Sequence, residues 1–361
     1  MRLLPKLDQE TSPSSACRPA RSRARGVPPA GDGLWSAVCG IALLLALSAS
    51  AAQAASGSLV IAGGALSPGN AAVHRAFLDL RMQGAPTIAV IPAASSEPAG
   101  SARRLAAALE RHGGSPADVV LVHLATMDDP ETPAVDESRW AGNATDSREI
   151  AKILSAGGIW FAGGDQSRIT RSLLCENGAD TPMLAAIRAR LAAGAVIGGT
   201  SAGAAIMSRV MILNGDSRTA LSQPVQPRLD PDESNTALVL GQGLGFLPDG
   251  LVDQHFSERD RLGRLTRALF EQPSAQRFGF GIDEDTALVV DLESGIAKAL
   301  GSGTITVVDA RAATAGTGLP FTASGVSVAT MPAGSEIALD GSRGIGLKPM
   351  PGPFPWKETA R

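Results

Sequence analysis

The sequence predicts an α/β protein whose sheet is doubly wound and mostly parallel. Short apolar runs alternate with longer stretches rich in alanine, leucine and arginine. Continuous apolar runs of this kind are typical of parallel strands that helices cover on both faces. The predicted strands span about 59–62, 87–91, 119–122, 159–161 and 195–197, and the predicted helices span about 70–83, 101–113, 146–156, 167–174 and 181–193. Sites in such sheets lie beyond the carboxyl ends of the strands, so we expect the functional residues there.

The first 54 residues have the pattern of a secretory signal peptide. A basic stretch, 1–33, precedes the apolar run 34–47, and small residues follow as far as Ala54. A basic flank, an apolar core and a small-residue site are typical of a segment that is removed during export. We therefore predict a signal peptide over 1–54, cleaved after Ala54, and a secreted or periplasmic protein.

The rest of the chain is expected to contain one main domain and a smaller region. The α/β pattern extends over 55–310, which is long enough for a single large core. Short strands recur after residue 290, and a proline-rich tail occupies 351–355. The region 311–361 is therefore predicted to be a small β appendage with a loose tail.

Charge and composition exclude several classes of function. Removing the six basic and three acidic residues of 1–54 changes the formal net charge from −3 to about −6. A mildly acidic domain gives no basis for binding nucleic acid or an anionic membrane. No group of cysteines and histidines has metal-ligand spacing, so no metal site is expected from this pattern.

The strongest local signal is Gly199-Thr200-Ser201-Ala202-Gly203, which follows an apolar run. Glycines on both sides of a serine allow the sharp strand-to-helix turn that exposes a nucleophilic hydroxyl. The first N–H groups of the following helix, beginning with that of Ala202, can then stabilise an oxyanion. The alternative is a plain glycine-rich turn.

A second signal, Phe161 to Gln166, follows another predicted strand. The N–H of Gly164 or Asp165 could be the second oxyanion donor, and the Gln166 amide could bind a substrate amide or carboxylate. The alternative is an ordinary turn in which Asp165 caps a helix.

The third signal surrounds His255, the best placed general base for a serine nucleophile. Asp253 and Gln254 precede it, and the arginines at 259, 261 and 264 follow it. On a helix, Arg259 would lie one turn from His255. The surplus of guanidinium groups favours recognition of carboxylates, whereas the alternative is a solvated amphipathic helix.

The fourth signal is the acidic triplet Asp283-Glu284-Asp285 between two glycines and a strand. A carboxylate on the Nδ1–H of His255 would fix the tautomer of the imidazole and stabilise its protonated form. The alternative is an acidic turn.

Together, FAGGDQSRIT, GGTSAGAAIMS, GLGFLPDGLVDQHFSERDRLGRL and GFGIDEDTALVV resemble the cyanophycinase family of serine exopeptidases, which is related to peptidase E. The resemblance covers most of 57–310 and implies a class I glutamine amidotransferase-like fold, no cofactor and a homodimer. It implies Ser201 as nucleophile, His255 as base and Asp216 as the orienting acid. On chemistry alone, Glu284 and Asp283 remain rivals for the role of the acid. It places Ala202 with Gly164 or Asp165 in the oxyanion hole. The substrate pocket would be formed by Gln166, Asp253, Gln254, Arg259, Arg261 and Arg264.

The activity implied by this resemblance is hydrolysis of cyanophycin, a poly-aspartate with arginine on each β-carboxyl, to β-Asp-Arg dipeptides. Two alternatives remain open: an exported aspartyl or isoaspartyl dipeptidase that does not act on the polymer, and a non-catalytic binding protein of the same fold. The polar stretch 217–240 departs from the family pattern and is expected to be either a lid over the pocket or a disordered insertion.

Overall fold

The computed structural model describes residues 57–229, 236–339 and 347–348. The predicted signal peptide and the predicted loose tail at 351–355 lie outside the described residues. No helix among the described residues has the length and apolar character needed to cross a bilayer.

The five strands and five helices predicted from the sequence are all present, with bounds that differ from the predicted ones by at most four residues. The strands are β1 (Ser58–Ala62), β2 (Ile88–Ile91), β3 (Val119–Leu121), β4 (Gly158–Phe161), β5 (Val196–Thr200), β6 (Val210–Asn214), β7 (Val239–Gln242), β8 (Leu251–Gln254), β9 (Phe278–Ile282), β10 (Thr286–Asp291), β11 (Ile296–Gly301), β12 (Thr304–Asp309), β13 (Thr314–Ala315), β14 (Ala323–Ser324), β15 (Ser327–Pro332), β16 (Glu336–Ala338) and β17 (Leu347–Lys348). The α-helices are α1 (Ala71–Asp79), α2 (Pro98–Glu110), α3 (Ser147–Ser155), α4 (Gln166–Leu173), α5 (Pro182–Ala192), α6 (Ala202–Ala205), α7 (Ser217–Ser222) and α8 (Leu262–Phe270). Short 3₁₀ helices span Pro116–Asp118, Glu137–Thr145, Ser257–Arg259 and Ser274–Gln276.

A nine-stranded sheet forms the centre of the fold, in the order β17-β16-β11-β10-β1-β5-β4-β2-β3. The five strands from β1 to β3 in that order are parallel to one another, and β10 joins β1 in the antiparallel sense. The α/β fold predicted from the alternating pattern is confirmed.

Helices cover both faces of the parallel region, which explains the apolar character of its strands. Along β1, Leu59 and Ile61 pack in one core cluster, whereas Val60 and Ala62 pack in another. The first cluster includes buried side chains of α4 and α5, and the second includes those of α1 and α2. Because successive side chains of a strand point to opposite faces, a doubly covered strand has to be apolar throughout.

Strands β15, β16 and β17 extend two sheets that begin before residue 310, which corrects the prediction of an appendage over 311–361, whereas β13 and β14 pair with each other. A second sheet has the order β15-β12-β9-β8, and β15 pairs with β12 along six residues. In the nine-stranded sheet β16 pairs with β11. The predicted division at 310 therefore falls between strands that share hydrogen bonds.

The second sheet positions the segment that contains His255. Strand β8 runs parallel to β9, and Gln254, the last residue of β8, pairs with Ile282, the last residue of β9. His255 and the acidic triplet therefore emerge side by side, because each follows one of two neighbouring strand ends.

Candidate active site

Ser201 lies at the turn between β5 and α6, with φ 54° and ψ −110°. A positive φ is costly for a residue with a side chain and is typical of functional sites. A Cβ on Gly199 would overlap the backbone of Gly203, and a Cβ on Gly203 would overlap the backbone of Phe161, so both positions require glycine. The Ser201 N–H donates to Ala62 O at 3.0 Å, which anchors the serine to the end of β1.

His255 is held in place by Gly63, the residue that follows the end of β1. It follows β8, is not on a helix, and has φ 47°. Its N–H donates to Gly63 O at 2.7 Å. The end of β1 therefore holds both residues, and the Ser201 Oγ lies 2.8 Å from His255 Nε2.

Glu284 is the carboxylate on the imidazole. Its Oε1 lies 2.6 Å from His255 Nδ1, and 34% of its side chain is exposed. A carboxylate accepts hydrogen bonds, so Nδ1 carries the proton and Nε2 is left to accept from the Ser201 hydroxyl. The three side chains form one chain of hydrogen bonds from hydroxyl to carboxylate.

Asp216, the acid expected from the family resemblance, has a different position. Its carboxylate accepts from the Thr219 N–H at 2.7 Å and from the Thr219 hydroxyl at 3.2 Å. This makes it the N-cap of α7, a common role for aspartate before a short helix. The assignment of Asp216 as the orienting acid is corrected to Glu284.

The other two acids of the triplet hold the Glu284 turn in place. Asp283 accepts from Ser257 N at 3.1 Å and from Thr304 N at 3.0 Å, which joins the His255 segment to β12. Asp285 accepts from Ser67 N at 2.8 Å and from Asn70 Nδ2 at 2.9 Å, which joins the turn to the loop after β1. The triplet therefore contains one acid that contacts the imidazole and two that fix the backbone on either side of it.

Gly64 supports the other face of the imidazole, a role the sequence analysis missed. It has φ +115°, and a Cβ there would overlap Cε1 and Nε2 of His255. The glycine pair at the end of β1 was visible in the sequence, but nothing local shows that the second glycine packs against a histidine.

We expect the substitution Gly64→Ala to lower kcat/KM by about 100-fold, because a displacement of roughly 1 Å at a reacting group has that effect. Gly113→Ala is the matched control, since Gly113 has φ +95° and open space where a Cβ would stand. Both changes strain the backbone, but only the first displaces the imidazole. Equal losses of kcat/KM in the two variants would contradict this role for Gly64.

The environment keeps the imidazole neutral. Burial is the main cause that lowers the pKa of His255 below its ordinary value of 6.5, and the charges of Arg259 and Arg261 lower it further. The hydrogen bond and the charge of Glu284 oppose this shift. At neutral pH the imidazole is therefore able to take a proton from Ser201.

We expect the substitution Arg259→Gln to move the acidic limb of the kcat/KM profile to higher pH. Activity requires neutral His255, so kcat/KM falls as the pH falls through the pKa of that residue. Removing the positive charge raises this pKa, and protonation then begins at a higher pH. The profile is measured across the acidic range for wild type, Arg259→Gln and the control Arg148→Gln, whose side chain is 89% exposed. An unmoved limb in Arg259→Gln would contradict the account.

Two of the three predicted oxyanion donors have an N–H group that is available to stabilise an oxyanion. Among the described residues, the N–H groups of Ala202 and Gly164 have no backbone acceptor. The Asp165 N–H, in contrast, donates to Ala94 O at 3.0 Å, and its carboxylate caps α4 through Ser167 N at 2.8 Å. The prediction of Asp165 as an oxyanion donor is therefore corrected, and Gly164 remains the candidate for the second donor.

Several of the predicted substrate-binding residues are instead part of the protein interior. Arg264 and Asp253 form a pair at 2.5 Å with 6% and 1% of their side chains exposed, and Arg264 Nη1 also donates to Gly215 O at 2.6 Å. Arg261 donates to the carbonyl and to the side-chain oxygen of Gln254. Burial and the nearby Arg264 lower the pKa of Arg261 to about 10. This network joins the end of β8 to α8 and the segment before it, and its burial could not be read from the sequence.

The remaining two predicted binding residues have different environments. The Gln166 amide donates to Ile212 O at 2.9 Å and to Leu213 O at 3.1 Å, so it fastens α4 to β6. Arg259 is exposed beside His255. Of the predicted substrate-binding arginines, Arg259 alone presents an exposed side chain.

An α/β sheet that presents a serine to an oriented imidazole in this way defines a serine-type hydrolase. The sequence profile of Peptidase family S51 matches residues 58–297. The chain belongs to peptidase family S51 and is a serine-type peptidase.

The names of two similar proteins are consistent with this class of enzyme. The chain is 37% identical over 227 residues to a cyanophycinase of Geminocystis herdmanii, covering 62% of this chain and 70% of that one. It is 36% identical over 229 residues to a cyanophycinase of Synechococcus elongatus, covering 62% of this chain and 59% of that one. The matches thus span about 59–70% of the length of these relatives.

A solved structure shares the fold. The crystal structure of a peptidase from an acI-B1 Actinobacterium superposes with a TM-score of 0.51 at 18% identity, covering 79% of this chain and 98% of that chain. At this identity the likeness concerns the fold alone.

Proposed function

We propose that this chain hydrolyses cyanophycin from a chain end and releases β-Asp-Arg dipeptides. The observation that carries the proposal is the hydrogen-bonded chain from Ser201 Oγ through His255 to Glu284. The relatives named cyanophycinase supply the substrate class.

In the first half of the reaction Ser201 acts as nucleophile. Its oxygen attacks the scissile carbonyl while His255 Nε2 takes the hydroxyl proton, and Glu284 stabilises the imidazolium that forms. The N–H groups of Ala202 and Gly164 donate to the oxyanion, and each such donor is worth roughly 3–4 kcal/mol of the barrier. His255 then gives its proton to the leaving amine, the carbon–nitrogen bond breaks, and an acyl-enzyme remains.

Water completes the cycle. His255 removes a proton from water, the resulting oxygen nucleophile attacks the acyl carbon, and the proton returns to Ser201 as the ester bond breaks. The products are a carboxylate and the regenerated serine. No step requires a metal or an organic cofactor.

A panel of three substrates tests the proposal. Cyanophycin, free β-aspartyl dipeptides and free α-aspartyl dipeptides are each incubated with the purified protein, and the products are identified by mass spectrometry. We expect β-Asp-Arg from the polymer. Hydrolysis of the dipeptides without any release from cyanophycin would refute the proposal and favour an aspartyl or isoaspartyl dipeptidase.

We also propose that the protein is exported and acts as a homodimer. Export is supported by the basic, apolar and small-residue pattern of 1–54, and the dimer is supported by the family resemblance. N-terminal sequencing of protein recovered outside the cytoplasm is expected to begin at Ala55, and light scattering is expected to give twice the chain mass. An intact N-terminus would contradict the proposal of export. A monomer at working concentration would contradict the proposal of a homodimer.

A further inference from the structure

A cavity of about 580 Å³ lies between α4 and the strands β6 and β7, and none of its lining residues has a role in the mechanism above. One wall is α4, represented by Ser167 and Arg171, and the opposite wall is the β6–β7 hairpin with Leu213 and Leu240. Its volume lies in the range of pockets that hold small ligands.

The α4 wall of the cavity follows the loop that lies beside the nucleophile. A Cβ on Gly163 would lie 3.4 Å from the Ser201 Cβ, so this loop and the serine are neighbours. Ser167 follows Gly163 by four residues, which is at most about 14 Å of extended chain. The Gln166 amide, which donates to Ile212 O and Leu213 O, ties the first turn of α4 to β6.

The charged side chains that line this cavity favour a ligand that carries both a negative and a positive charge. Arg171, Glu176 and Arg228 line it, and all three residues are exposed. Arg171 Nη2 donates to the Ser167 hydroxyl at 3.2 Å, which keeps its guanidinium against the α4 wall. Two guanidinium groups attract a carboxylate, whereas one carboxylate attracts a cation. A ligand that carries both a free carboxylate and a guanidinium therefore fits best.

The long segment between β6 and β7 contributes to this cavity. Pro227, Arg228 and Leu229 are lining residues, and they belong to the polar stretch 217–240 that departs from the family pattern. These three residues line one side of the cavity and include one of its two arginines, Arg228.

We infer that this cavity is a second substrate subsite, which binds the arginyl side chain of the polymer unit next to the scissile bond. The inference rests on the proposed function, since an arginine linked through its amino group keeps both its carboxylate and its guanidinium. Arg171 and Arg228 bind the carboxylate, and Glu176 binds the guanidinium. The protein thereby recognises two consecutive units of the polymer instead of one.

Two matched peptides test the subsite. The first contains two β-Asp-Arg units, and the second carries a β-N-methylamide in place of the arginine on the unit that leaves. The ratio of kcat/KM for the two peptides is measured for wild type, Arg171→Gln, Arg228→Gln and the control Arg148→Gln, together with each melting temperature. We expect wild type and the control to prefer the first peptide, and each cavity variant to lose about tenfold of that preference.

A third peptide, with citrulline in place of the arginine on the leaving unit, separates the two charges. It keeps the carboxylate and lacks the guanidinium charge, so Glu176→Gln should reduce the preference for arginine over citrulline. A preference that is unchanged in all three cavity variants would overturn the subsite while leaving the proposed function intact. Failure of the wild type to hydrolyse any of the peptides would refute the proposed function, and the subsite with it.

Discussion

Replacing Ser201 by alanine is expected to lower kcat on cyanophycin by about 10⁶-fold, the loss seen when a serine hydrolase loses its nucleophile. The reason is that no acyl-enzyme can form without the hydroxyl, although the oxyanion donors and the substrate contacts remain. The fold should be unaffected, because the bond from Ser201 N to Ala62 O involves only the backbone. Product release is measured by mass spectrometry on protein whose melting temperature matches that of the wild type.

Ser274→Ala is the control for this substitution, since Ser274 is an exposed serine at the start of a 3₁₀ helix. It should retain full activity. Activity within tenfold of wild type in Ser201→Ala would show that the hydroxyl is not the nucleophile.

The second large effect is expected at Glu284. The substitution Glu284→Gln keeps the size of the side chain but removes the charge that stabilises the imidazolium and fixes the proton on Nδ1. A comparable change in a serine protease costs about 10⁴-fold in kcat. We therefore expect a loss of that order for Glu284→Gln, measured as kcat at saturating substrate.

The substitution Asp216→Ala distinguishes the role of Asp216 from that of Glu284. Loss of the α7 N-cap should lower the free energy of unfolding by about 1 kcal/mol with little effect on kcat. Denaturant unfolding and steady-state kinetics on both variants give the two quantities. A large loss of kcat in Asp216→Ala together with an active Glu284→Gln would reverse the assignment of the acid.

Much of the fold and the reacting pair could be predicted from the sequence. Parallel strands leave a strong local pattern, since burial on both faces demands continuous apolar runs. Ser201 was visible because the elbow needs glycine on both sides of it. His255 stood out because imidazole is the usual base for a serine nucleophile. These signals are local, or depend on a residue type with few alternatives.

The acid could not be identified in the same way. Three carboxylates in the triplet and Asp216 were all chemically able to orient an imidazole, and the choice depends on which loop lies beside β8. That choice is made by the parallel pairing of β8 with β9, a long-range contact that no local pattern contains. The resemblance to known peptidases placed the acid between the serine and the histidine, whereas the structure places it after the histidine.

The burial of the arginines and the pairing of the C-terminal strands could not be predicted from the sequence either. The arginines at 259, 261 and 264 look alike in sequence, yet only the first is exposed and the third is paired with Asp253 in the interior. A buried ion pair is recognised only when both partners are placed. Similarly, the short strands after 310 are visible as strands, but their pairing with β11 and β12 depends on edges that form elsewhere in the chain.

Labelling of the folded protein with a fluorophosphonate tests the whole account most directly, because phosphonylation requires a serine whose proton is taken by a neutral imidazole. Intact mass and peptide mapping should show one adduct, on Ser201, and the labelling rate should fall with pH along the same acidic limb as kcat/KM. A folded protein that gains no adduct, or gains it on another residue, would contradict the pairing of Ser201 with His255 from which everything else is derived.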